Sequence, residues 1–351
     1  MHEQLNREWV IVGALVSGMA LWGCSPTGTP QSNDNSSQTN DNSSQANDNS
    51  TSTNDNGTTA TSGSVSTGSA ATVVDCSATN DCTGDHRVAR CGTLTDDDGT
   101  SREVPAPITD GFTNVDIFNN CTGTGDNADF ESELTTQVID QSGTEITAYL
   151  FADNYYEFYV NGTFAGRDPV GFTPFNSAAA RYQAQYPVTY AVLLVDWEEF
   201  NGVGLEERNG FHIGDGGFIA AFSDGNVTSA DWKCRMFYAA PLDDASCVVE
   251  DGNGIADSSA CSSSDTTVAC VSNDPENSCQ AYHQTLPDDW ASPEYDDSNW
   301  PSASTYSADD VTNAEGFRNY ENTLFSGASF IWSSNLNLDN LVVCRATMSQ
   351  P

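Results

Sequence analysis

From residue 73 onward, apolar residues recur at every second position or in short unbroken runs, and no segment sustains a 3.6-residue period. The pattern predicts strands over residues 145–160, 187–197, 217–223, 232–239, 328–333 and 341–347. The second of these, PVTYAVLLVDW, is apolar at odd and even positions alike, as a central strand covered on both sides must be. Turn dipeptides Asp224-Gly225, Asp251-Gly252 and Asn253-Gly254 punctuate the series. Many short strands between such turns imply an all-β sandwich or barrel.

The segment FADNYYEFYVNG, residues 151–162, carries the sharpest alternation. Ala152, Tyr156, Phe158 and Val160 share one face with Asn154 and suit a core; Asp153, Tyr155, Glu157 and Tyr159 share the other. Asn161-Gly162 then supplies the positive φ angles of a two-residue hairpin turn. Read as solvent-facing, the second face sets Tyr155 and Tyr159 about 13 Å apart. Glu157 between them would accept hydroxyl hydrogen bonds. Such a face is either an ordinary wet sheet surface, the commoner case, or a contact surface for something with CH faces and hydroxyls, such as a sugar. On the second reading these three residues are the ligand-binding candidates.

The region before residue 73 has a different character. Residues 10–23 are an apolar run too short for a comfortable membrane span, and Cys24 follows directly. This resembles the signal of a bacterial lipoprotein, which implies removal of residues 1–23, lipidation of Cys24, and export to the cell envelope or surface. Trp22 is bulky for such a site, and a plain secretory signal is the alternative. Beyond it, NDN recurs every seven residues at 33–35, 40–42, 47–49 and 54–56, with no apolar position in the repeat. Residues 24–72 therefore read as a disordered linker, reaching on the order of 40 Å.

Net charge is −39, from 11 basic and 50 acidic residues, and Lys233 is the one lysine. Such a surface excludes nucleic acid as a partner and leaves a lipid anchor as the route to a membrane. The acidity fits either a salty environment or calcium binding; no EF-hand loop is present, and Asp96-Asp97-Asp98-Gly99 reads first as an acidic turn. No cofactor is required by any motif, structural calcium stays open, and the metal set is undetermined. Eleven cysteines less Cys24 leave ten, with no C-x-x-C pair, so disulfides rather than zinc are expected. Cys76, Cys82, Cys91 and Cys121 fall in an N-terminal extension, 73–125, that shows few clear strands. Cys247, Cys261, Cys270 and Cys279 fall in a Ser/Asp-rich insertion at 245–280. Each set can close on itself, which pairs Cys234 with Cys344 inside a single sandwich domain at 126–349.

Catalytic signals are sparse. Glu198 and Glu199 end the strongest strand, but neighbours on a strand point to opposite faces and make a poor acid pair for glycoside hydrolysis. His212 near Asp215 lacks a nucleophile elbow or an H-E-x-x-H helix and reads as a turn residue. Trp290, Trp300 and Trp332 read as core.

Two segments carry a family resemblance. FADNYYEFYVNG resembles a strand and turn of galactose-binding-domain-like jelly-roll modules, which accompany glycoside hydrolases. DDWASPEYDDSNWPSA, residues 288–303, is similar to the opening of the same modules, and residues 328–345 to their next strand pair. The order is reversed here, which leaves a permuted single sandwich or two incomplete modules. The first is expected, with the chain end supplying strands to the body, because a fragment of about 70 residues would expose a raw sheet edge. The resemblance implies a galactose-binding-like jelly roll and a non-catalytic module binding carbohydrate or a matrix polymer. A structural or adhesion protein, and a polysaccharide-cleaving enzyme, are the alternatives.

Overall fold

The computed structural model describes residues 64–67, 72–75, 90–95, 101–104 and 111–351, apart from 122, 124, 171–175, 197–212, 264–279 and 313. Cys24, the 96–99 cluster, Glu198, Glu199 and His212 lie outside the described residues. In chain order the strands begin with β1 (Ser64–Thr67), β2 (Thr72–Asp75), β3 (Arg90–Thr95) and β4 (Ser101–Val104). Next come β5 (Val115–Asn119), β6 (Gly125–Asp126), β7 (Thr136–Val138), β8 (Thr144–Asp153), β9 (Tyr155–Val160) and β10 (Thr163–Arg167). Then follow β11 (Asn176–Ala184), β12 (Val188–Val195), β13 (Gly217–Phe222) and β14 (Lys233–Leu242). The last six are β15 (Val249–Glu250), β16 (Ala256–Asp257), β17 (Gln280–His283), β18 (Ser304–Tyr306), β19 (Phe330–Trp332) and β20 (Asp339–Met348).

The fold is all-β and sandwich-like. One sheet runs β1-β17-β14-β20-β12-β9-β10; the other runs β18-β19-β13-β8-β11-β5-β6, with β7 parallel to β11. Every other pairing between strands is antiparallel among the described residues. Tyr156, Phe158, Val192, Leu194 and Val342 from the first sheet meet Ile146, Leu150, Tyr182, Phe218 and Phe222 from the second in one buried core. At its centre Tyr190 stacks on Phe222 at 4.2 Å, with Trp232 nearly parallel beyond. The expected core face, Ala152, Tyr156, Phe158 and Val160, is buried there. Asn161 and Gly162 take φ of 47° and 75° in the β9–β10 turn.

Three expectations are corrected. The run 145–160 is two strands in different sheets: β8 ends at Asp153 and β9 starts at Tyr155. The corner at Asn154 is held by its N–H donating to Val195 O, 3.3 Å away. Alternating apolar residues continue across it because both strands face the same core from opposite sides. The linker expected to reach residue 72 ends sooner, since β1 pairs with β17 through Ser64–His283 to Thr67–Gln280; its Val and Thr suit an edge strand despite polar surroundings. The extension expected to hold few strands carries the β2-β3-β4 sheet and β5, which belongs to the second large sheet.

The C-terminal strand β20 sits between β14 and β12, and Cys234 and Cys344 face each other across β14–β20 in a disulfide. Cys247 joins Cys261, within the set expected to close on itself. At the start of β20 the fully buried Asp339 accepts hydrogen bonds from Ser258 Oγ at 2.6 Å and from Ser333 Oγ, and its own carbonyl accepts from Trp332 Nε1. Burial raises its carboxyl from 3.8 to about 7, the two hydroxyls opposing only in part.

Two outcomes are expected. Replacing Cys234 and Cys344 together by Ala, which reopens a loop of 110 residues, lowers stability in denaturant titrations by about 2–5 kcal/mol. For Asp339, the folded chain holds a proton between pH 4 and 7 that the unfolded chain has released. This group's contribution therefore declines as pH rises through that window and is flat above it, a fall on the order of 4 kcal/mol. Asp339→Asn, able to accept from one serine and donate to the other, removes that part of the slope when the two proteins are compared across pH 4–8.

Candidate functional site

The tyrosine stripe does not face solvent. Tyr155 and Glu157 are 1% and 2% exposed, and Tyr159 is half-buried. Tyr155 and Tyr159 donate to the two carboxylate oxygens of Glu157, at 3.2 and 3.3 Å. Burial first, then the Glu157 charge, holds the Tyr155 hydroxyl well above its ordinary range. The ligand-binding role expected of Tyr155, Glu157 and Tyr159 as an exposed set is thereby withdrawn. Alternation reported correctly that the two faces differ, but it cannot report that a distant segment covers the second one.

That segment is residues 286–300. Successive tight turns, among them Ser292 N–H to Asp289 O and Trp300 N–H to Asp297 O, carry it over the outer face of the first sheet. Its aromatics recur every five residues and point down. Trp290 meets Tyr159 edge-on at 4.9 Å, Tyr295 packs on Trp300, and Trp300 packs on Phe237. With Tyr155, Leu193, Val195 and Val343 they form a second core. Trp300 and Trp332 are buried and Trp290 is half-buried, consistent with packing roles. Two cations clamp the segment from below. Arg345, 1% exposed, donates Nε to Asp297 at 2.8 Å, its two terminal nitrogens to the carbonyls of Trp290 and Ser292, and lies under the Tyr295 ring. Lys233 donates to Ser298 O and Trp300 O.

The aromatic line nonetheless continues to the surface. From Trp290 and Tyr159 it passes to Phe164 and then to Phe112, with ring centroids about 5 Å apart at each step. Phe112, at 52%, is the only exposed aromatic side chain among the described residues. Its backbone is fixed: Arg167 N–H donates to Phe112 O, and Asn114 N–H donates to Arg167 O.

Beside Phe112 lies a groove of about 440 Å³. It exists because two short strands share one edge of β11. β5 pairs as far as Ala179–Val115, and β7 takes over at Arg181–Thr136, leaving a break between them. Leu134, Ala165, Ala179 and Ala180 line it apolarly, with Glu133, Gln137 and Arg181 as polar groups. Gln137 donates Nε2 to Phe164 O, and Arg181 donates to Thr147 Oγ1 and Glu131 O, so part of each side chain's hydrogen-bonding capacity stays available. Sequence reasoning missed this place because Phe112 stands alone in GFTN, outside any alternating run. No protein-family model, curated protein or solved structure matches this chain. The site is accordingly read from its own geometry.

Replacing Arg345 by Met leaves the Trp290 and Ser292 carbonyls without this donor and removes the ion pair from Asp297, itself a quarter exposed. The expected cost is about 1–3 kcal/mol, with red-shifted tryptophan fluorescence as Trp290 and Trp300 gain water. Phe112→Ala, in contrast, is expected to move stability by less than about 0.5 kcal/mol.

Proposed function

We propose that this protein is an exported, surface-tethered, non-catalytic module that binds carbohydrate or an extracellular polymer at the groove beside Phe112. One observation carries the reading: a rigidly held, exposed aromatic ring borders a groove that mixes apolar floor with planar amide, carboxylate and guanidinium groups. Sugar rings present the complementary surface, CH faces for the phenyl ring and hydroxyls for the planar polar groups. The disulfides are consistent with an oxidising, extracellular setting, and the Asn/Asp/Ser tract after Cys24 is composed as a tether. The resemblance to galactose-binding-like jelly rolls adds support through the segments 151–162, 288–303 and 328–345, whose order along this chain is reversed. The anionic surface argues against nucleic acid.

The test is retention in affinity electrophoresis or on a glycan array. Phe112→Ala should lose at least about 1 kcal/mol of binding, roughly fivefold, while Val138→Ala, exposed and outside the groove lining, leaves it unchanged. Equal retention of Phe112→Ala on a polysaccharide that the parent binds would remove the groove from the reading; turnover abolished by one carboxylate change would make the protein an enzyme instead. Tethering is tested separately. Cys24→Ser should release intact protein from the membrane fraction, and continued attachment after detergent-free washing would rule out the lipid anchor.

A further inference from the structure

A second cleft, of about 370 Å³, shares no lining residue with the Phe112 groove. Met236 of β14 lines it on one side, the β15–β16 hairpin on another, and Pro301 with Ser334 on the rest. Its volume is that of small-molecule sites rather than of a packing flaw.

The walls are braced on both sides. Cys234, in the disulfide to Cys344, lines the cleft, and the Cys247–Cys261 disulfide closes the chain around the whole hairpin. Asp251 shapes the hairpin turn by accepting from the N–H groups of Asn253 and Ile255, at 2.8 and 2.9 Å. Asp257 ties the hairpin to the chain after β19 by accepting from Ser334 Oγ at 2.9 Å, and Asn335 Nδ2 donates to Ser258 O beside it. A cleft fixed in this way loses little freedom when filled.

Its chemistry is one-sided. Two carboxylates and several hydroxyls line it, together with the apolar Met236, Val249, Ile255 and Pro301, and no cationic side chain does among the described residues. Arg235, outside the lining, donates to Gly254 O and Gln284 and lies over Phe237 and Trp300, while its charge also acts on Asp251. The N–H bond from Ile255 holds Asp251 below the ordinary carboxylate range. Burial would raise Asp257, but bonds from Ser259 and Ser334 outweigh it. Both are ionised at neutral pH, inside a chain of net charge −39 that concentrates cations around it. At the rim Val249 is 64% exposed, an apolar surface set directly beside the charges.

We infer that this braced cleft is a binding site for a small organic cation carrying an apolar tail, the ammonium held by Asp257 and Asp251 and the tail lying against Met236, Ile255 and Val249. The site is independent of the Phe112 groove.

The experiment uses the full chain labelled with ¹³C at the methionine methyls, of which Met236 reports the cleft. Hexylammonium should shift that signal saturably. Ethylammonium, which has the charge without the tail, should bind at least tenfold more weakly, and hexanoate should not shift it. Asp257→Asn keeps an acceptor for the Ser259 N–H and should weaken hexylammonium binding at least tenfold. Val249→Lys, at an exposed rim position with no packing to lose, should weaken it as much, whereas Phe112→Ala should not change it. Equal affinities for hexylammonium and ethylammonium would mean nonspecific attraction to a polyanion and would overturn the assignment. An equal response to hexanoate, or full binding by Val249→Lys, would overturn it as well.

Discussion

Everything in this sandwich depends on one constraint: its first sheet is apolar on both faces. β12 is buried at all eight positions, its even residues in the main core and Leu193 and Val195 in the second. A sheet of this kind packs its inner face against a partner sheet and needs a further layer outside, or it would present a large apolar patch to water. Residues 286–300 supply that layer without forming a strand. They bring three aromatic rings and a chain of turns, and they leave their carbonyls to be satisfied from below. Arg345 and Lys233 do this in a protein with only 11 basic residues.

The clamp also accounts for where the recognisable motifs lie. The tryptophan-rich piece at 288–303 and the hairpin at 151–162 contact each other through Trp290 and Tyr159, although about 130 residues separate them. Gly162 shows how closely they approach, since a Cβ there would lie 3.3 Å from Pro293. A buried carboxylate, Glu157, fits beneath this cover because two tyrosine hydroxyls donate to it. Such a group is stabilised by its hydrogen bonds and costs heavily if they are removed.

The consequence for function is a displacement of the exposed chemistry toward the margins. With both faces of the first sheet occupied, two accessible concavities among the described residues lie where strands end or change partners. The Phe112 groove opens at the break between β5 and β7, and the second cleft opens between β14 and a disulfide-closed hairpin. Neither requires the sandwich to move. Both are set on backbone held by ladder hydrogen bonds or cross-links, the arrangement that keeps binding groups in place before a ligand arrives.

The sequence by itself determined the all-β class, the core-facing residues Tyr156, Phe158 and Val160, the Asn161-Gly162 turn, and the double-sided burial of 188–195, because a period of two and turn chemistry are local properties. Cysteine counting also pointed to the Cys234–Cys344 pair that the fold contains. Only the tertiary structure decided that FAD and YYEF belong to different sheets, that β1 begins inside the expected linker, and that Tyr155 and Glu157 are covered. Each of these depends on which distant segment comes to lie alongside, and local alternation carries no information about that. Phe112 illustrates the same limit from the other side: a lone phenylalanine looks like core in a sequence, and only the structure shows it exposed beside the groove at the β5–β7 break.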